Sequence, residues 1–209
     1  MRSSLIDGGC RLCPRGCGAN REQGNTGFCK VPAKLYAARA ALHFWEEPCI
    51  SGTRGSGTVF FSGCVLRCIY CQNRPVARAE AGQEISVERL TEIFLELQDQ
   101  GAHNINLVTP THYAPWIALA LEDAKAQGLR LPVVYNCGGY EGEESLRRMD
   151  GLVDIYLTDF KYMDSGLASR YSHAPDYPKE ARRALEIMYR QVGTPVFDGD
   201  GMMRRGILV

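Results

Sequence analysis

Short apolar runs alternate with amphipathic helical stretches through most of this chain, and that alternation constrains the fold more than any other feature. TVFFS (58–62), NINLVT (104–109), LPVVYN (131–136) and VDIYLTDFK (153–161) are runs of strand length rich in β-branched and aromatic residues. SVERLTEIFLELQDQG follows the first. In it Val87, Leu90, Ile93, Phe94 and Leu97 recur at helical spacing, Ser86 offers an N-cap and Gly101 a stop. A helix over 114–127 ends at Gly128, a short one lies near EESLRRM, and PKEARRALEIMYRQVG (178–193) carries Pro178 in its first turn. Such alternation predicts an α/β fold of repeated βαβ units around a parallel sheet. In such sheets ligands sit beyond the carboxyl ends of the strands. Here the polar segments GCVLRCIYCQN, TPTHY, NCGGY and DFKYMD all follow strands and gather at one rim.

Residues 1–30 are rich in Gly, Cys, Arg and Asn and have no steady period, so they read as a loop-rich unit that needs a cross-link or a metal to hold shape. VPAKLYAARAALHFWE (31–46) reads as containing a helix, because of its alanines. Residues 1–50 are thus expected to form a Cys-rich N-terminal module and linker, and 51–209 the α/β unit. At the other end DGDG (198–201) reads as a tight turn and RGILV as a strand just begun. The chain is therefore expected to be truncated at its C-terminus.

The 24 basic and 24 acidic residues cancel, which gives no charge-based case for nucleic acid or an anionic membrane as partner. No apolar run approaches the ~20 residues of a membrane span, and the N-terminus lacks the apolar core of a signal peptide. A cytoplasmic protein is expected. Seven of nine cysteines lie in two tight sets, a pattern that in a reducing compartment favours metal over disulfides.

Cys64, Cys68 and Cys71 form C-x3-C-x2-C directly after the first strand. Four thiolates complete a [4Fe–4S] cluster whose task is structure or electron transfer. A loop that gives three leaves one iron for a ligand that is not protein. Zinc completed by Cys49 or His43 is the rival reading. The other set, Cys10, Cys13, Cys17 and Cys29, has enough thiolates for a zinc ion or a second cluster. Asp159 and Lys161 point the same way at the end of the fourth strand, where they can meet a charged ligand. Cys137 reads as a small buried residue, and His43, His103 and His173 as structural. His112 is the histidine to single out, although a lone histidine is more often structural.

The loop GCVLRCIYCQN, with aromatic Tyr70 before its last cysteine, resembles the radical S-adenosylmethionine (SAM) superfamily. It is most similar to the pyruvate formate-lyase activating enzyme and its uncharacterised relatives. The resemblance spans about residues 55–209 and implies a partial (β/α)6 barrel with SAM on a [4Fe–4S] cluster held by Cys64, Cys68 and Cys71. It places Tyr70 beside the adenine, and Thr109, Asn136, Asp159 and Lys161 at the strand ends around the cofactor. The D-x-K of DFK matches the fourth-strand end of the activating enzymes. TPTHY departs from the family's Gly-Gly-Glu strand end, leaving Thr109, Thr111 and His112 where an acid commonly holds the methionyl amino group. Asn136 stands where the activating enzyme has Asp. The implied activity is reductive cleavage of SAM to a 5′-deoxyadenosyl radical for hydrogen abstraction. Implied partners are a glycyl-radical enzyme or another protein or peptide substrate, and a flavodoxin- or ferredoxin-type reductant. The alternative from another class is a non-enzymatic iron–sulfur or zinc protein for electron transfer or scaffolding.

Overall fold

A computed structural model describes Ile6 and residues 9–209. Its strands are β1 (Leu35–His43), β2 (Ser56–Phe61), β3 (Gln83–Ile85), β4 (Ile105–Val108), β5 (Val133–Cys137), β6 (Ile155–Thr158), β7 (Val196–Phe197) and β8 (Met203–Leu208). The α-helices are α1 (Pro48–Ser51), α2 (Arg74–Ala77), α3 (Val87–Asp99), α4 (Ala114–Ala126), α5 (Glu143–Arg148), α6 (Ser165–Ser172) and α7 (Tyr177–Val192). The sheet runs β3-β1-β2-β4-β5-β6-β8-β7. From β2 to β8 every neighbouring pair is parallel, whereas β1 and β3 on one side and β7 on the other pair antiparallel. The fold is thus α/β with a mostly parallel sheet, as a partial (β/α) barrel requires. Among the described residues no helix is long and apolar enough to cross a membrane.

Strand alternation sorts the side chains onto two faces. Val59, Phe61, Ile105, Leu107, Val133 and Tyr135 join the main core with residues of α3, α4 and α7. Val134, Ile155, Leu157 and Met203 pack on the other face around Ile50 of α1. The α3 boundaries follow their local signals: the Ser86 side chain accepts the amide of Arg89, and Gly101 stands at φ +84° just past the helix end.

The helix expected within 31–46 is not formed, because that stretch contains β1. Its alanines favour helix locally, but β1 fills the ladder position between β2 and β3, and backbone pairing on both edges outweighs side-chain propensity. The sheet therefore begins at Leu35, inside the stretch assigned to the N-terminal module.

The amino ends of the strands are tied by a buried amide. Asn104 Nδ2 donates to the Ile50 carbonyl at 2.7 Å, and Asn104 Oδ1 accepts the Ser56 hydroxyl at 2.5 Å. Asn104→Ala leaves both partners buried without a mate, and urea denaturation is expected to show a loss of about 1–3 kcal/mol for each group orphaned.

Candidate functional site

The loop after β2 is shaped by its neighbours before any cysteine acts. Gly63 has φ +83°, its amide donates to the Val76 carbonyl at 2.8 Å, and a Cβ there would stand 2.6 Å from the Cys29 carbonyl oxygen. Only glycine meets both demands. Cys64 Sγ accepts the amides of Leu66 (3.4 Å) and Arg67 (3.5 Å), a geometry reached with Arg67 in the left-handed region at φ +52°. Burial pushes the Cys64 thiol up to about 11, against the pull of those two amides. The Cys71 amide donates to the Cys68 carbonyl at 3.1 Å, closing the turn between the last two cysteines of the loop. Ser172, at the end of α6, donates its hydroxyl to Cys68 Sγ at 2.9 Å.

Lys161 and Asp159 follow β6 and form an ion pair of 2.5 Å. Burial works against the Lys161 ammonium. The hydrogen bond and charge of Asp159, joined by Cys68 and Cys64, outweigh it and raise the lysine above its ordinary value. Lys161 therefore stays charged beside the loop cysteines. Tyr177, which belongs to no motif, locks this corner. Its hydroxyl lies 2.8 Å from the Gly138 carbonyl and 3.1 Å from that of Asp159, and accepts the Lys161 amide at 2.9 Å. Tyr70 follows Ile69 out of the loop, its ring half-exposed and edge-on to Tyr162 and Tyr171.

Thr109 closes β4 at φ +60°, and its amide donates to the Asn136 carbonyl at 2.9 Å, so these two expected cofactor residues are neighbours. The Asn136 side chain reaches a residue the sequence reading passed over: its Nδ2 lies 3.4 Å from both carboxylate oxygens of Glu46. Burial and then Glu47 raise the Glu46 pKa, with Asn106 and Asn136 opposing. Asn106 is fully buried, and neither its Nδ2 nor its Oδ1 has a hydrogen-bond partner of good geometry. The acid pair after Phe44 and Trp45 carries no periodic or motif signal, which is why Glu46 escaped notice.

The TPTHY turn is braced from below. Thr111 and Tyr135 hydroxyls each donate to Glu141 at 2.8 Å, and burial pushes that carboxyl up to about 7. His112 is buried, and its Nε2 donates to the Ser62 carbonyl at 2.9 Å, two residues ahead of Cys64. Burial and then Arg21 drive its pKa down to about 3, so it is a neutral strut for the loop. Cys137 is buried against the Thr158 hydroxyl. His43 is paired with Ser56 along β1, and its ring packs edge-on against Phe60 with Nε2 4.0 Å from Glu46. Cys49 packs with the apolar group around Ile50.

The N-terminal cysteines gather beside this site. Cys10 and Cys29 are buried, Cys13 half-buried and Cys17 exposed. Burial raises Cys13 and Cys29. Cys13 also feels Cys29 and Cys10, and Cys29 feels Cys10 and Cys17. Among the described residues no three His, Cys, Asp or Glu side chains are close enough together to share a single metal ion. The module is bolted on by two arginines. Arg21 is buried and donates to the carbonyls of Val31 (3.2 Å), Pro32 (2.8 Å) and His112 (2.7 Å). Arg15 donates to Val65 (3.0 Å), Ser172 (2.8 Å) and His173, with its guanidinium 3.9 Å over the Phe28 ring.

The model of the Radical SAM superfamily matches residues 58–202, from β2 to the turn before β8. The chain belongs to the radical SAM superfamily. A protein of Methanocaldococcus jannaschii named only as uncharacterised is 29% identical over 177 residues, 80% of this chain. The radical SAM chain spans half the length of that relative. The family implies a [4Fe–4S] cluster and SAM, and the loop fits them. Two amides and a hydroxyl are aimed at its sulfurs, and a lysine kept charged lies beside them.

The depressed His112 pKa makes acid stability testable. The unfolded chain protonates this histidine near pH 6.5 and the folded protein resists until about pH 3. Between those values the unfolded state binds the extra proton, so stability falls as pH falls, by up to about 1.4 kcal/mol per pH unit. Glu141, raised to about 7, acts with the opposite sign between about pH 4.5 and 7. His112→Asn is expected to remove the histidine contribution, so that between pH 6.5 and 4.5 the variant gains stability relative to the parent. Urea midpoints measured across that range check the difference.

Proposed function

We propose that this radical SAM protein holds a [4Fe–4S] cluster on Cys64, Cys68 and Cys71 and uses it to cleave SAM reductively for hydrogen abstraction. When bound and reduced, the cluster supplies one electron to the sulfonium of SAM, which yields methionine and a 5′-deoxyadenosyl radical. The protein supplies orientation, charge and exclusion of water. The observation that carries the reading is the loop of three cysteines at the carboxyl rim of a parallel sheet, with charged Lys161 drawn toward two of them. Lys161 is offered as the partner of the SAM carboxylate, and Asp159 as the group that aims it. Tyr70 offers its half-exposed ring to the adenine. Thr109 and Asn136, joined through the backbone, offer polar groups from adjacent strand ends.

The finer reading is an activating enzyme that takes a hydrogen atom from a glycine of a partner enzyme, or from another protein or peptide, with electrons from a flavodoxin- or ferredoxin-type donor in the cytoplasm. The similarity of GCVLRCIYCQN to the pyruvate formate-lyase activating group supports it. The N-terminal cysteines are proposed to hold a second metal, zinc or another cluster, supported by the number and spacing of Cys10, Cys13, Cys17 and Cys29.

Anaerobically reconstituted protein treated with dithionite and SAM is expected to release 5′-deoxyadenosine. Lys161→Ala should keep the iron and lose about 10- to 100-fold in SAM affinity, as expected for a charged hydrogen bond of about 1.5–3 kcal/mol. A fully cluster-loaded protein that never cleaves SAM would sink the proposal. For the second site, metal analysis is expected to find metal beyond one four-iron cluster, and Cys13→Ser and Cys29→Ser should lose that excess alone.

A further inference from the structure

A hydrogen-bond chain runs from the protein surface to one cluster ligand. The Ser172 hydroxyl lies 2.9 Å from Cys68 Sγ, the Tyr162 hydroxyl 2.6 Å from that of Ser172, and the Tyr70 hydroxyl 2.6 Å from that of Tyr162. Neither Tyr162 nor Ser172 belongs to the cysteine motif; they come from the segment after β6 and from the end of α6.

The direction of the chain follows from the donor inventory. A ligating thiolate has no proton, so it can only accept, and the single Ser172 hydrogen goes to sulfur. The serine oxygen is then left to accept from Tyr162, whose own oxygen accepts from Tyr70. Each hydroxyl is polarised by the next, so the last donor is stronger than an isolated serine would be. Ser172 is fully buried, and Tyr162 nearly so. The backbone around the serine is fixed on two sides. Its carbonyl accepts from Arg15 at 2.8 Å, and the carbonyl of the preceding Tyr171 accepts the Ile69 amide at 3.0 Å. The hydroxyl is thus aimed at the sulfur and held there.

We infer that Ser172, backed by Tyr162 and Tyr70, is a positioning residue that sets the reduction potential of the cluster through Cys68. The inference rests on the three-cysteine cluster proposed above. A hydrogen bond to a ligand sulfur stabilises the state with more negative charge on the cluster, which is the reduced one, and so raises the potential of the one-electron couple. The three ligands are treated unequally: Cys64 has two amides and Cys68 a buried hydroxyl chain.

The test is an anaerobic potentiometric titration of reconstituted full-length chain without SAM, read by EPR of the reduced cluster. Ser172→Ala is expected to shift the midpoint to a more negative potential at unchanged iron content, and Ser172→Thr to return it toward the parent. Tyr162→Phe, which keeps the serine but removes its donor, should shift it the same way by less. If Ser172→Ala fails to fold or load iron, Tyr162→Phe decides alone. Midpoints equal to the parent's in the variants that load would overturn the inference while leaving the cluster reading intact. A parent protein with no four-iron EPR signal would overturn both.

Discussion

Arg15 reaches across the molecule to three backbone carbonyls, those of Val65 in the cysteine loop and of Ser172 and His173 at the end of α6. A guanidinium spreads five donors in a rigid fork, so three carbonyls that satisfy it are themselves held in one relative geometry. The Phe28 ring below it completes the shell. Most of what is distinctive about the site depends on this junction. The loop that carries Cys64 and Cys68, the helix end that carries Ser172, and the N-terminal cysteine stretch all meet at one side chain. Arg21, six residues along the chain, repeats the device with Val31, Pro32 and His112. In neither case does a carboxylate supply the partner, so position is fixed by direction more than by net charge.

Around that junction polar groups are aimed at the loop sulfurs, although at Cys64 burial outweighs them and holds the thiol at about 11. Burial alone would keep Cys64 a thiol, and the Leu66 and Arg67 amides pull the other way. Lys161 remains charged in a half-buried setting because Asp159 and the cysteines hold it so. Tyr177 ties the backbone after β5 to that after β6. The arrangement is a set of oriented dipoles on a stiff parallel sheet, and oriented dipoles cost no reorganisation when charge arrives.

Much of this was legible in the sequence, and the reasons differ by element. β2, β4, β5 and β6 were visible because buried parallel strands are continuous apolar runs, and α3 because its apolar stripe and Ser86 cap agree. β1 was misread because its alanines report local propensity, whereas its state is set by two neighbouring strands far along the chain. α6 went unnoticed because SGLASRYS is short and buries only Ala168 and Ser172. The cysteine loop was recognisable from spacing alone. Glu46, Ser172, Tyr162 and Tyr177 were not, since each matters through a contact made across long sequence separation and none belongs to a repeating pattern.

The contact between Gly63 and Cys29 has a mechanical consequence. The carbonyl of an N-terminal cysteine occupies the space where any other residue at position 63 would carry its side chain. One atom thus serves as the wall against which the cysteine loop turns. The two cysteine stretches approach this closely only because position 63 carries no side chain. The N-terminal stretch is therefore part of the frame that fixes where the first of the three loop sulfurs points.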